Sequence, residues 1–490
     1  MSPLLISLII SGYFIFLIIV SFFTSRKADT TTFFTANRQS PWYLVAFGMI
    51  GASLSGVTFI SVPGDVGNVI NERGDVAQFA YFQMVLGYLL GYLVVARVLL
   101  PLYYKLDLVT IYTYLEERFG NWSYKTGSFF FLLSRTIGAA FRLFLVAMVL
   151  QVAIFRAWGI SFEFTVFITI ALIWIYTFKG GIKTIVWTDT LQTLMMLIAV
   201  IFTIIIILQK LDLGVGDLVK TVKSSGYSNM FVWDFNSKIN FFKQFFSGAF
   251  ITIVMTGLDQ DMMQKNLTCK SLSESQKNMF WFSIVLVFAN LLFLSLGALL
   301  YIFANKNGIA IPENTDYLYP TLALEHFNVA TIILFMLGIT AAAYSSADSA
   351  LTALTTTFCT DFLNFSKREE KERKKIRLWV HAGFSVLLFI VIVVYKEINN
   401  ENLITSLFTA AGYTYGPLLG LFAFGILSRR KVNDNMVPWI CLVSPVLSYI
   451  LNTNSVDWFN GFQFGFSILM VNGAITYAGL LINSKTSQRD

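Results

Sequence analysis

The chain consists of long apolar runs separated by short polar connections. A helix needs about 20 mostly apolar residues to cross a bilayer, and about 13 runs in this sequence meet that requirement. Their bounds are 3–23, 43–64, 77–100, 126–155, 162–178, 184–208, 241–258, 276–304, 327–362, 376–395, 402–428, 435–452 and 460–483. The pattern predicts an all-α polytopic membrane protein of about 13 transmembrane helices, in which 1–490 form one domain within the lipid bilayer.

The positions of the basic residues predict how these helices are oriented. Arg26 and Lys27 follow the first apolar run instead of preceding it, so 3–23 is predicted to be a retained span and not a signal peptide. Alternate connections carry most of the other basic residues, as cytoplasmic loops do. Examples are Lys265, Lys270, Lys277 and the run 367–377. The N-terminus is therefore predicted to lie outside and the C-terminus in the cytoplasm, in a plasma (inner) membrane.

The composition argues against several other classes of protein. Hydrophobic residues make up 56% of the chain and charged residues 13%, whereas a soluble domain is about 25% charged. The net charge of +7 follows the connections between spans, so no nucleic-acid partner is expected. The sequence contains no Walker, G-x-S-x-G or H-E-x-x-H motif, and we expect neither ATP-driven pumping nor enzymatic activity.

Small residues interrupt two of the predicted spans. The span 43–64 contains "GASLSGVTFISVPG", and 241–258 ends in "MTGLDQDMMQ". Such residues permit unwinding, so that freed backbone groups face a ligand; close helix packing is the alternative for either span alone. The interruptions lie five spans apart, which predicts two inverted five-helix repeats in a ten-helix core over 43–428. The helix 3–23 precedes this core, and two helices in 435–483 follow it.

A polar stripe runs along the predicted span 327–362. Its members lie three and four residues apart and therefore share a helical face. The stripe consists of Ala342, Ser345, Ser346, Ser349 and Thr352, with Asp348 at its edge. Hydroxyl and carboxylate oxygens suit a hard cation such as Na⁺, and an acid within a span often marks an ion or proton path. The serines could instead bond to the preceding turn, and Asp348 could pair with a buried lysine or arginine.

Asp189 is a second acid within a predicted span, near the cytoplasmic end of 184–208. Together with Asp348 it could hold a cation between two helices. The alternative is an interfacial acid with Lys183 as its partner.

Two arginines lie on one face of the predicted span 126–155. Arg135 and Arg142 are seven residues apart, and arginines within a span face the protein interior or a water-filled cavity. They could grip a carboxylate on a solute, or they could snorkel or pair with a structural acid. Phe79 and Gln83, at the start of 77–100, are candidates for the outer half of the same site or members of an interfacial aromatic belt.

Several sequence motifs together resemble the sodium:solute symporter family. They are "TSRKADTTTFFTANRQSPWYLVAFGMIGASLSGVTFISVPG", "PLYYKLDLVTIYTYLEERFG", "GGIKTIVWTDTLQ", "DQDMMQKNLTCKS" and "AAAYSSADSALTALTTTFCTDF". The resemblance extends over 3–430 and implies a LeuT-like fold with a 5+5 inverted repeat and two broken helices.

The resemblance also implies where one or two sodium ions bind. The main sodium site of the family corresponds to Gly51, Leu54, Ala342, Ser345 and Ser346. A second site, found in some members, corresponds to Asp189, Ser345 and Ser349. Asp348 stands where several members have a serine or threonine, so it either strengthens the second site or takes a proton itself.

The sialic-acid members of the family imply the residues that contact the solute. The matching positions are Ser53, Ser55, Thr58, Phe79 and Gln83. These members hold the solute carboxylate with an arginine whose position corresponds to Gly138, and this chain instead has Arg135 and Arg142 one turn to either side.

These observations predict a sodium-coupled symporter that imports a small organic solute, such as an anionic sugar acid or carboxylate, and that functions as a monomer. A neutral sugar, a vitamin or an amino acid remains an alternative solute. A channel would need a pore-lining ring, and the sequence shows no filter-like repeat. An intramembrane enzyme would need a nucleophile and base.

Overall fold

The computed structural model describes residues 2–25, 36–69, 76–177, 181–363, 365, 368–398 and 402–485. Arg26 and Lys27, which serve above as orientation signals, lie outside the described residues. Sixteen main helices follow one another within these described residues. They are α1 (Pro3–Ser25), α2 (Trp42–Ser53), α3 (Gly56–Asp65), α4 (Tyr81–Lys105), α5 (Asn121–Ala153), α6 (Phe162–Thr177), α7 (Gly181–Lys210), α8 (Phe241–Gly257), α9 (Gln260–Asn266), α10 (Leu272–Lys306), α11 (Val329–Phe362), α12 (Glu370–Ile398), α13 (Leu403–Thr414), α14 (Gly416–Leu427), α15 (Val437–Thr453) and α16 (Ile468–Ile482).

Shorter elements complete the described part of the chain. The short helices are Thr113–Arg118, Leu218–Ser224, Leu318–Thr321 and Ser455–Trp458. Two strands of two residues each pair antiparallel. They are β1 (Lys431–Val432), which precedes α15, and β2 (Ser484–Lys485), which follows α16. A π-helical stretch interrupts α4 at Val95–Leu99, and α8 ends in another at Ile253–Gly257.

The predicted spans each coincide with a helix or with a bent pair of helices. Among the described residues, nine helices are long and apolar enough to cross a membrane, and three bent pairs raise the number of spans to as many as 12. The remaining predicted span, 162–178, corresponds to α6, a shorter apolar helix.

Three breaks bend the helical bundle. The axis turns by 53° between α2 and α3, by 68° between α8 and α9, and by 46° between α13 and α14. The first two breaks were predicted, but the predicted span 241–258 stopped short of α9. The third break was not predicted; Gly416 and Pro417 follow it, and proline removes a backbone donor that a continuous helix needs.

The candidate site lies where the broken helices meet the longest continuous ones. Helix α7 packs along α11, and α2 packs against both. A Cβ built on Gly48 of α2 would lie 3.1 Å from the Cβ of Asp189, so the backbone of α2 approaches α7 as closely as small residues in membrane helices allow. On the periphery, α12 and α15 expose large apolar side chains such as Trp379 and Val446, as lipid-facing helices do.

Candidate functional site

The first helix break exposes backbone carbonyls to the interior of the bundle. Helix α2 ends at Ser53, and the N–H of Leu54 donates to the carbonyl of Ile50 at 2.7 Å. Because the helix ends here, no following turn supplies N–H groups to the other carbonyls of the last turn. Gly51 and Leu54, the predicted backbone ligands for sodium, belong to this buried turn.

Gly51 touches both α7 and α11. A Cβ at this position would collide with Oγ1 of Thr193 and lie 3.2 Å from Oγ of Ser345. Thr193 is held in place because its hydroxyl donates to the carbonyls of Phe47 at 3.0 Å and Asp189 at 2.7 Å. The structure therefore brings Gly51 of the break next to Ser345 of the polar stripe.

The three serines of the polar stripe are buried and have different partners. Ser346 donates to the carbonyl of Ala342 at 3.4 Å, and Ser349 donates to the carbonyl of Ser345 at 3.0 Å, as serines in membrane helices commonly do. Ser345 instead donates across to Oδ1 of Asp189 at 2.9 Å. The predicted ligands of the main sodium site thus lie on one turn of α11 and on the facing break.

Lys265 forms a buried ion pair with Asp189. Its Nζ atom lies 2.7 Å from Oδ2 of Asp189 and 4.0 Å from Oδ1 of Asp261, and the lysine side chain is 1% exposed. Our use of Lys265 as an exposed cytoplasmic orientation signal is therefore wrong. Lys183, the partner suggested for Asp189 by the sequence, forms no such pair in the described structure.

Arg135 is neutralised by the acids that follow the second break. Its guanidinium pairs with Asp261, which also accepts a hydrogen bond from Ser349 at 3.2 Å. The guanidinium also lies 4.0 Å from Asp259, whose carboxylate accepts a hydrogen bond of 2.5 Å from Tyr415 at the third break. Arg135 thus joins α5 to α9, as the structural-acid alternative anticipated.

A central cavity adjoins the first break. Five predicted solute-binding residues line it, namely Ser53, Ser55, Thr58, Arg135 and Arg142. Other lining side chains were not among our predictions, and they include Tyr81, Tyr88, Tyr92, Thr252, Thr256, Asn290, Ile404 and Phe408. The cavity wall therefore combines hydroxyls, aromatic rings and a guanidinium, a mixture typical of sites for small polar molecules.

Arg142 differs from Arg135 in its surroundings. It is 6% exposed and lines the central cavity. Among the described residues its Nε atom has no hydrogen-bond partner, and its guanidinium forms no ion pair. A buried cation with no described carboxylate at ion-pair distance is costly, so this guanidinium is suited to an anionic ligand in the cavity.

Phe79 and Gln83 do not line the central cavity. The amide of Gln83 donates to the carbonyl of Ile239 at 3.0 Å and accepts from the N–H of Val232 at 3.1 Å. The N–H of Phe79 donates to the carbonyl of Asn229 at 3.1 Å. Both residues attach the connection between α7 and α8 to the start of α4.

A second cavity lies next to the central one. It is lined by Asp65 at the end of α3, by Lys238 and by residues of α13 and the two C-terminal helices. Tyr81 and Ile404 line both cavities. These two side chains therefore stand between the central cavity and this second cavity.

Comparison with known proteins supports the same class of protein. Residues 33–435 match the model of the sodium:solute symporter family. The chain is 25% identical to the sodium/sialic acid symporter NanT of Aliivibrio fischeri, over 93% of this chain and 89% of that one. It is also 25% identical to the sodium-coupled monocarboxylate transporter 1 of Mus musculus, over 86% of this chain and 67% of that one.

A solved structure shares the fold. It is described as the substrate-bound outward-open state of a Na⁺-coupled sialic acid symporter with a novel Na⁺ site. The TM-score is 0.80 at 19% identity, and the match covers 98% of both chains. This similarity confirms the predicted LeuT-like fold. The family match covers most of the chain, and it follows that this chain belongs to the sodium:solute symporter family, the sodium-coupled membrane transporters of small solutes.

Proposed function

We propose that this protein imports a small organic anion together with sodium, and that Arg142 binds the anionic group. The observation that carries this proposal is the buried guanidinium of Arg142, which lines the central cavity and has no ion-pair partner among the described residues. A carboxylate would supply that charge through hydrogen bonds that are stronger than those between neutral groups. The hydroxyls of Ser53, Ser55 and Thr58 would orient the remainder of the solute.

The proposed sodium site explains how the ion and the solute are coupled. Sodium would bind the carbonyls of Gly51, Leu54 and Ala342 together with the hydroxyls of Ser345 and Ser346. Leu54 lies directly between Ser53 and Ser55, both of which line the central cavity. Sodium would therefore order the break that presents the solute ligands, and each site would increase the affinity of the other, as linkage requires.

We propose that the second cavity faces outward and forms the entry route. The N-terminus would lie outside a bacterial-type inner membrane and the C-terminus in the cytoplasm. A solute that arrives from outside would pass Tyr81 and Ile404 to reach Arg142. Sodium entering with it would contribute about 2.3 kcal/mol per charge for each 100 mV of membrane potential. As the sequence analysis expected, we propose that the protein functions as a monomer.

The nature of the solute can be tested by a thermal-shift screen of the purified protein. Sialic acid and short monocarboxylates would be compared with a neutral sugar, a vitamin and an amino acid, with sodium or with potassium. An anionic solute should stabilise the protein only in sodium. Stabilisation by a neutral solute alone would favour the neutral-substrate members of the family instead.

A further inference from the structure

Lys265 is buried beside acidic side chains of two helices. The residue lies near the end of α9, its side chain is 1% exposed, and its ammonium is 2.7 Å from Oδ2 of Asp189. A second carboxylate, Asp261, lies at 4.0 Å. Carboxylates from two helices, α7 and α9, therefore lie within 4.0 Å of one buried lysine.

The residues around Lys265 are those that the sequence suggested for a second sodium ion. Asp189 was one predicted ligand, and Ser345, which donates to its Oδ1 atom at 2.9 Å, was another. Ser349, the third, donates to Asp261 at 3.2 Å. The ammonium is thus part of the polar cluster where the second ion was expected.

A lysine ammonium can substitute for a sodium ion in such a cluster. Both are compact, singly charged and strongly hydrated in water, and both favour carboxylate and hydroxyl oxygens. A sodium ion beside the ammonium would be repelled by it, and Asp189 has one oxygen committed to Lys265 and the other to Ser345. The ligands of the main sodium site would remain available, because Gly51, Leu54 and Ala342 would bind the ion through their carbonyl oxygens.

We infer that Lys265 is the resident cation of the second site, so that one sodium ion, and not two, accompanies each solute. This inference rests on the proposed sodium site at the first break. The alternative is that Lys265 merely anchors α9 to α7 and leaves room for a second sodium nearby. The two possibilities differ in the number of sodium ions that the protein binds.

Equilibrium dialysis of the purified full-length chain against radiolabelled sodium, without solute, measures that number. The wild type should bind one sodium ion per chain. Lys265→Ala, which frees the carboxylates, should bind two, whereas Lys265→Arg and the exposed-lysine control Lys306→Ala should each bind one. Ser346→Ala should lose most of the wild-type signal, and the double variant with Lys265→Ala should retain one ion. Size-exclusion profiles check that each variant folds.

The outcomes separate this inference from the proposed function. Two ions in the wild type, or no gain in a folded Lys265→Ala variant, would overturn the role of Lys265. If Lys265→Ala does not fold, the wild-type count decides alone, with one ion supporting the inference and two contradicting it. No binding by the wild type would contradict the main sodium site, while a gain of one ion in Lys265→Ala would still support a resident lysine. No binding by either protein would overturn both.

Discussion

The hydroxyl of Ser345 donates a hydrogen bond of 2.9 Å to the carboxylate of Asp189. This contact joins α11 to α7 and links two functional regions of the molecule. On one side Ser345 faces Gly51 at the first break; on the other side Asp189 holds Lys265. This hydrogen bond therefore directly connects the proposed sodium site with the buried ion pair.

Replacing Ser346 with alanine should weaken sodium binding and solute uptake together. Losing a polar contact to a charged group costs roughly 1.5–3 kcal/mol, so the sodium concentration for half-maximal uptake should rise at least about tenfold. Sodium titrations of initial uptake rates measure this effect. Ser385→Ala is a matched control, since the hydroxyl of Ser385 donates to the carbonyl of His381 within its own helix α12 at 2.9 Å. Unchanged sodium dependence in Ser346→Ala would remove this residue from the site.

Replacing Arg142 with glutamine should raise KM for an anionic solute at least about tenfold, because a charge-assisted contact to a buried group is lost. The apparent sodium affinity measured without solute should change little. Arg156→Gln, at an exposed arginine in the turn after α5, should behave like the wild type. Equal losses of sodium binding and solute binding in Arg142→Gln would indicate a structural role.

Replacing Arg135 with glutamine should chiefly destabilise the protein. It would leave Asp261 and Asp259 buried without their cation, and breaking a buried ion pair costs about 3–5 kcal/mol. Thermal unfolding in detergent should show a lower Tm, whereas Arg142→Gln should leave the Tm near that of the wild type. Stability equal to the wild type in Arg135→Gln would argue that the ion pairs with α9 contribute little.

Replacing Gly51 with alanine should abolish most uptake. The new methyl group would collide with Thr193 and crowd Ser345, and overpacking of this kind costs about 1–3 kcal/mol. Gly12→Ala on α1 is the matched control, because a Cβ there meets nothing within 4 Å. Adding Thr193→Ala to Gly51→Ala should restore part of the uptake. Full activity of Gly51→Ala alone would show that α2 and α11 need not approach so closely.

Replacing Gln83 with alanine should loosen the connection between α7 and α8 without acting directly on the solute. The carbonyl of Ile239 and the N–H of Val232 would lose their partner, at a cost of about 1–3 kcal/mol. Limited proteolysis should cut this connection faster, while KM should change less than in Arg142→Gln. A selective rise in KM with unchanged proteolysis would instead support the predicted contact of Gln83 with the solute.

The parts of the fold that depend on local pattern could be predicted from the sequence. Long apolar runs identify the spans, and clusters of glycine and hydroxyl residues identify the first two breaks. The serine stripe could be placed on one face of α11 because helical periodicity is local. The family resemblance then connected the stripe with sodium.

The buried ion pairs could not be predicted in the same way. The sequence of α9, "QDMMQKN", is polar enough to resemble a cytoplasmic connection, and Lys265 therefore fitted the positive-inside pattern. Its partner Asp189 lies on a different helix far away along the chain, so no local spacing reveals the pair. Likewise Arg135 and Arg142 share a helical face, and only the three-dimensional structure distinguishes the guanidinium in an ion pair from the one without such a partner.

Uptake into proteoliposomes tests the central claim most directly. Purified protein would be reconstituted, and the accumulation of radiolabelled sialic acid, a short monocarboxylate and a neutral sugar would be followed with and without an inward sodium gradient. We predict that an anionic solute accumulates above its external concentration only with the sodium gradient, and that Arg142→Gln greatly reduces this accumulation. Accumulation that is independent of sodium, or that is restricted to the neutral sugar and unaffected by Arg142→Gln, would contradict sodium-coupled import of an organic anion.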